Sequence, residues 1–196
     1  MKKQVRILFV GNSHTYFNDM PQMVSAIAAD DGYIADVVMI AHGGWYLKQH
    51  VAEPDVAFNI KYGHYDYVVL QEHSHPFDKL DDYDEAVSIL SRWIKDAGSV
   101  PVIYGTWSTK AQPEEQERMN RTNRELSEKY DTLLAPVGEL WWKFMDSWPK
   151  IEMYAEDGAH ASPQGSVFAA KIIWETIVTD VSSRNRHDTD ELRKDF

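Results

Sequence analysis

Cysteine is missing from this chain, which excludes disulfides, thiolate metal sites and a thiol nucleophile. Long apolar runs are missing too. None approaches the roughly 18 residues that a membrane-spanning helix needs. The start, Met1 to Gly11, has a signal-like look, but its apolar stretch beyond Arg6 covers only Ile7 to Val10. That is shorter than the roughly 7 to 15 residues of a signal peptide core, so it reads as a first strand and a cytoplasmic location is expected. Basic charge is scarce. Twenty Lys and Arg stand against 31 Asp and Glu, a formal net charge of -11, and the basic residues are scattered. A nucleic-acid-binding face would need them clustered. Repeats, low-complexity segments and Gly/Ser/Pro-rich linkers are also lacking, so one domain is expected over 1–182, followed by a polar tail over 183–196.

What is present is the composition of an ordinary globular domain: 196 residues, 43% apolar and 26% charged. Short apolar runs alternate with helical patterns, the mark of a parallel sheet covered by helices. The expected strands are Val5 to Val10, Ile34 to Ala41, Tyr65 to Leu70, Val100 to Thr106 and Thr132 to Ala135. Pro21 in a first turn opens a helix that ends at Asp31-Gly32. Ala86, Ile89, Leu90, Trp93 and Ile94 recur at helical spacing between about Asp81 and Ala97. Pro113 to Tyr130 reads as a polar surface helix, and Val137 to Phe144 as another. Pro54 to Lys61 is ambiguous. Ser162-Pro163 caps and opens a last helix through about Val181. The fold class is therefore α/β: a three-layer α/β/α sandwich on a five-stranded parallel sheet.

In such a sheet the loops after the strands share one edge, where chemistry is usually sited. Strand one ends in Gly11-Asn12-Ser13-His14-Thr15, strand two in His42-Gly43-Gly44-Trp45, and strand three in Gln71-Glu72-His73-Ser74-His75. A fourth loop carries Asp157-Gly158-Ala159-His160. A serine hydroxyl needs a base within hydrogen-bond reach. His160 is the candidate base, and Asp157, three residues earlier, can hold its imidazole. An oxyanion needs fixed donors. The Ser13 N–H is one, and Gly43 or Gly44 another, since glycine lets a backbone approach closely. A third donor after strand three is open among Gln71, His73, Ser74 and His75, Gln71 being the amide.

Taken together, Gly11 to Thr15, Gly43-Gly44 and Asp157-x-x-His160 before the final helix resemble the SGNH (GDSL-like) hydrolases over about Val5 to Val181. The resemblance implies a flavodoxin-like fold and ester hydrolysis by a Ser-His-Asp triad. It makes Ser13 the nucleophile, His160 the base and Asp157 its partner, with Ser13 N–H and a strand-two glycine as oxyanion donors. Two features depart from the family pattern. Asn12 stands where the family usually has Asp, and the Gly-x-Asn-Asp after strand three is replaced by Leu70-Gln71-Glu72-His73-Ser74. That region looks more like branches in which a glutamine at the strand end faces the site, as in some carbohydrate O-acetylesterases, so Gln71 is expected as the oxyanion donor.

The reading is a small-acyl esterase, acetyl first, acting on a small-molecule or carbohydrate ester. It needs no metal or cofactor and has no nucleic-acid or membrane partner. Trp45, Trp107, Trp141, Trp142 and Trp148 lie in or beside the rim loops and the helix after strand five, where core packing and sugar stacking compete. One rival is a metal-dependent hydrolase drawing on Glu72, His73, His75, Asp78, His42 and His64. Another is a carbohydrate-binding module that kept the fold without catalysis. Oligomeric state is not legible.

Overall fold

Strand β1 (Lys3–Gly11) forms the spine of the sheet because its residues are apolar on both faces: Val5, Ile7 and Phe9 point to one side, Leu8 and Val10 to the other. That continuous run is what a parallel strand covered on both sides requires. The computed structural model describes residues 3–192, with side chains as far as Arg184. The other strands are β2 (Tyr33–Ala41), β3 (Tyr67–Leu70), β4 (Val100–Tyr104) and β5 (Leu133–Ala135). They form one sheet in the order β2-β1-β3-β4-β5, every pair parallel. Register brings Gly11 beside Ala41 and Val10 beside Leu70. Three strand ends therefore open onto one edge.

The helices are α1 (Ser13–Tyr16), α2 (Met20–Asp30), α3 (Leu47–Val51), α4 (Pro54–Tyr62), α5 (Leu80–Asp96), α6 (Glu115–Tyr130), α7 (Val137–Ser147) and α8 (Pro163–Leu192). Met20, Val24 and Ala28 of α2, Val137 and Trp141 of α7, and Ala169, Ile173 and Trp174 of α8 cover the Phe9 face. Leu47 of α3, Ile60 of α4, Ala86, Leu90 and Ile94 of α5 and Met119 of α6 cover the Leu8 face. This is the expected three-layer α/β/α arrangement. The ambiguous Pro54 segment is helical, with Pro in its first turn. α8 runs past Val181 to Leu192, so the residues 183–192 expected as a polar tail continue the helix; 193–196 lie outside the described residues. Among the described residues no helix is long and apolar enough to cross a membrane.

Two tryptophans expected beside the rim belong to the core. Trp107 and Trp141 are fully buried and stacked at 3.9 Å with planes 9° apart. By contrast Trp148 is exposed. The turn after β4 packs so tightly on α7 that position 138 must lack a side chain. The Gly138 N–H donates to the Gly105 carbonyl at 2.8 Å, and a Cβ there would lie 1.9 Å from the Thr106 carbonyl oxygen. Backbone cannot yield as a side chain would. Gly138→Ala should therefore cost about 1–3 kcal/mol of stability or more, read as a lower urea midpoint with an unchanged slope.

Two buried histidines, His14 and His50, and the half-buried His75 make a second prediction. Burial, then the nearby His75 and His160, holds His14 well below its ordinary value. Burial drives His50 and His75 down to about 4. Such groups favour the folded state fully above the unfolded histidine value of about 6.5, and that advantage is lost as pH falls. Glu72 works in the opposite sense: burial pushes it up to about 7, so its contribution is lost as pH rises. Three protons outweigh one between about pH 6.5 and 4.5. Urea unfolding should show stability falling with acidity by up to about 2–3 kcal/mol per pH unit in that window; a flat profile would contradict it.

Candidate functional site

The site is built at the end of β1. Gly11 closes the strand, and its carbonyl accepts from the His42 N–H at 3.1 Å and is 2.8 Å from His50 Nε2. Asn12 caps the single turn of α1, its Oδ1 accepting from the His14 N–H at 3.0 Å. Ser13 is therefore the first residue of a helical turn rather than part of a loop. Its N–H has no acceptor among the described residues, as expected for an N-terminal donor of a helix.

Asp157 and His160 sit on a small hairpin before α8. Tyr154 pairs with Ala161, and Ala155 N–H donates to the His160 carbonyl at 2.8 Å. Gly158 takes a φ of +67° at its tip, where glycine carries no Cβ penalty. The hairpin is tied down from outside. Lys110 N–H donates to the Gly158 carbonyl and Trp107 Nε1 to the Ala159 carbonyl, both at 2.8 Å. Ser162 then caps α8 by accepting from the Gly165 N–H at 3.1 Å, as the Ser162-Pro163 pattern anticipates.

These two pieces, 147 positions apart in sequence, meet. His160 Nε2 lies 2.8 Å from Ser13 Oγ, and His160 Nδ1 lies 2.5 Å from Asp157 Oδ2. Asp157 Oδ1 accepts the N–H groups of Ala159 and His160, each at 2.9 Å. Desolvation opposes ionisation of Asp157, but the imidazole bond and these two donors outweigh it and hold the carboxyl at about 2. An ionised carboxylate can only accept. The proton of neutral His160 thus sits on Nδ1, and Nε2 is left to receive the Ser13 hydroxyl proton.

Sequence reasoning missed what holds the imidazole in place. Phe17 stacks on His160 at 4.3 Å and 17°, and His14 stacks on it at 4.9 Å and 29°. His14 in turn touches His75 and Trp107. Both stacking residues lie close to Ser13 in the chain, yet an aromatic shortly after a strand end carries no signal of its own.

The glycine turn after β2 closes with the Trp45 N–H donating to the His42 carbonyl at 3.2 Å. Gly44, at φ +73°, supplies the left-handed position of that turn. Gly43 faces α1: a Cβ there would come within 2.8 Å of the Tyr16 hydroxyl. Gly43 N–H has no acceptor among the described residues.

Gln71 lies differently from expectation. It is completely buried. Its Oε1 accepts from the Asn12 N–H at 2.8 Å and from Thr15 Oγ1 at 2.9 Å, and its Nε2 donates to the Glu72 carbonyl. The amide orientation is fixed by chemistry, because the Asn12 N–H can meet only an acceptor. Gln71 thus reaches the serine loop through its oxygen, and its donor end is engaged elsewhere. The residues of the metal alternative are dispersed. Glu72 accepts from the Leu47 and His73 N–H groups at 3.2 and 2.6 Å, His73 stacks on Tyr46, and His75 Nε2 is 2.9 Å from the Trp107 carbonyl. Among the described residues no group of three His, Asp or Glu is placed to hold a metal ion.

No protein-family model matches the sequence, and no curated protein matches it. Solved structures do. A protein described as an SGNH hydrolase from Slackia heliotrinireducens shares 32% identity with a TM-score of 0.77, over 89% of this chain and 100% of that one. A carbohydrate esterase family 3 protein from Talaromyces cellulolyticus matches at 14% identity and TM-score 0.70, covering 91% and 99% of the two chains. A lipase/acylhydrolase from Enterococcus faecalis matches at 17% and 0.67, covering 88% and 95%. At such low identity the last two establish the fold alone. The first aligns along its whole length with nearly one residue in three unchanged, and by that likeness this chain belongs to the SGNH hydrolases.

Proposed function

We propose that the protein is a serine esterase that removes small acyl groups, acetyl first, from a carbohydrate or other small alcohol. The observation that carries this is the continuous relay from Asp157 through His160 to Ser13 Oγ, at 2.5 and 2.8 Å. Ser13 Oγ attacks the acyl carbon as Nε2 takes its proton. The ionised Asp157 stabilises the imidazolium that forms. Nε2 then returns the proton to the departing alkoxide, and a water activated in the same way cleaves the acyl-enzyme. In this reading the N–H groups of Ser13 and Gly43 receive the oxyanion. Gln71 acts as a staple that holds Asn12 and Thr15 on either side of Ser13.

Support for a small acyl group comes from where open space lies. The groove of about 640 Å³ between α6 and α7 is lined by Arg121, Arg124, Glu125 and Glu139, and neither Ser13 nor His160 borders it. Among structures sharing the fold are the carbohydrate esterase above and a mutant acetyl esterase with acetate ion, each at 14% identity.

A panel of esters of rising acyl length tests the proposal. Turnover should be greatest with acetyl and fall steadily through butyryl to octanoyl. Ser13→Ala should lower kcat by roughly four to six orders of magnitude and abolish labelling by a fluorophosphonate. Equal rates from the wild type and Ser13→Ala would sink the reading. Asp157→Asn keeps the shape but frees the tautomer, and should lower kcat by roughly 10²- to 10⁴-fold.

A further inference from the structure

The departure at position 12 has a physical explanation in the structure. Asn12 is 1% exposed and spends every polar group it has. Its N–H donates to Gln71 Oε1 at 2.8 Å, and its carbonyl accepts from Thr15 N–H at 2.9 Å and Tyr16 N–H at 3.4 Å. Its Oδ1 accepts from His14 N–H at 3.0 Å, and its Nδ2 donates to the Trp45 carbonyl at 2.9 Å. The side-chain assignment is unambiguous: an N–H faces the oxygen and a carbonyl faces the nitrogen. A carboxylate in this place would keep the cap on His14 but would turn an acceptor toward the Trp45 carbonyl.

The Trp45 carbonyl matters because of what lies before it. The turn His42–Trp45 is rooted at its near end by the His42 N–H on the Gly11 carbonyl. Its far end is rooted by Asn12 Nδ2. Between those roots lie two glycines, with no side chain to pack and, at Gly44, a positive φ. Trp45 also packs on His42 at 4.2 Å and on His50 at 5.2 Å, and its N–H on the His42 carbonyl closes the turn, but these contacts are internal to the turn and α3 and do not aim it relative to Ser13. Only a bond to the main chain fixes the direction of a backbone N–H. Donors aimed before charge develops are what an oxyanion site needs.

We propose that Asn12 is a positioning residue for the oxyanion site: its Nδ2, through the Trp45 carbonyl, aims the Gly43–Gly44 turn at the substrate oxygen above Ser13. The amide is required there because it both accepts and donates, which ionised aspartate cannot do. This rests on the esterase reading given above.

Asn12→Asp is the direct test, since the two side chains have the same shape. At pH 8 kcat on an acetyl ester should fall by about 10- to 100-fold, less than for outright loss of a donor, with KM little changed. As pH is lowered, the ratio of mutant to wild-type kcat should rise, because the protonated carboxyl regains a donor for the Trp45 carbonyl. A merely structural role would not produce that recovery. Asn12→Ser provides the second arm. Its hydroxyl can cap α1 but is too short to reach Trp45, so the same loss should appear without recovery at low pH. Wild-type kcat in both variants, or a loss in Asn12→Asp whose ratio does not change with pH, would overturn the proposal. An active Ser13→Ala would instead overturn the esterase reading beneath it.

Discussion

A buried strand that stops inside the protein leaves backbone polar groups that must find partners, and the end of β1 is where this chain meets that demand. Each unpaired group there would cost on the order of 1–3 kcal/mol. The Gly11 carbonyl is met by His42 and His50, and the Asn12 N–H by Gln71. Those partners come from the ends of β2 and β3 and from α3. Satisfying one strand end therefore draws together the three loops that surround Ser13. The position of Ser13 follows from hydrogen-bond accounting in the core.

The fourth loop is held by different means. It belongs to the opposite end of the chain and has no strand to align it. Its shape is set internally by Gly158 and by the Asp157 carboxylate, which gathers two backbone N–H groups before it touches the imidazole. Its location is set by Trp107, which is buried against Trp141 and donates to the Ala159 carbonyl. Asp157 is thus also an anion that shapes the loop, its low proton affinity coming first from the His160 imidazole and then from the two backbone donors. Asn18 Nδ2 completes the join by donating to the Ala161 carbonyl at 2.9 Å.

Much of this was legible in the residues. Apolar runs on a two-sided sheet mark β1 and β3 directly, and Ala86 to Ile94 mark α5, because burial imposes periods that a sequence must obey. Ser13, Asp157 and His160 could be placed on one edge because parallel topology leaves loops nowhere else to go. What resisted reading was the direction of side chains whose chemistry is ambivalent. Gln71 could donate or accept, and only the neighbouring Asn12 N–H decides that it accepts. Tryptophans near strand ends could line a cleft or fill a core, and Trp107 and Trp141 chose the core through a mutual stack. The end of α8 was also hidden. Ser182 onward is polar, and polarity alone does not separate a solvated helix from a tail.

The separation of 147 residues between Ser13 and its imidazole has a consequence for the life history of the molecule. During synthesis the segment carrying Ser13 emerges early, and its hydroxyl remains an ordinary alcohol until the hairpin around His160 has left the ribosome and packed against Trp107. Between those moments Ser13 has no imidazole beside it. At elongation rates of about 5–20 residues per second, that interval lasts roughly seven to thirty seconds. The contact between Ser13 and His160 is therefore denied to every chain cut short before the hairpin.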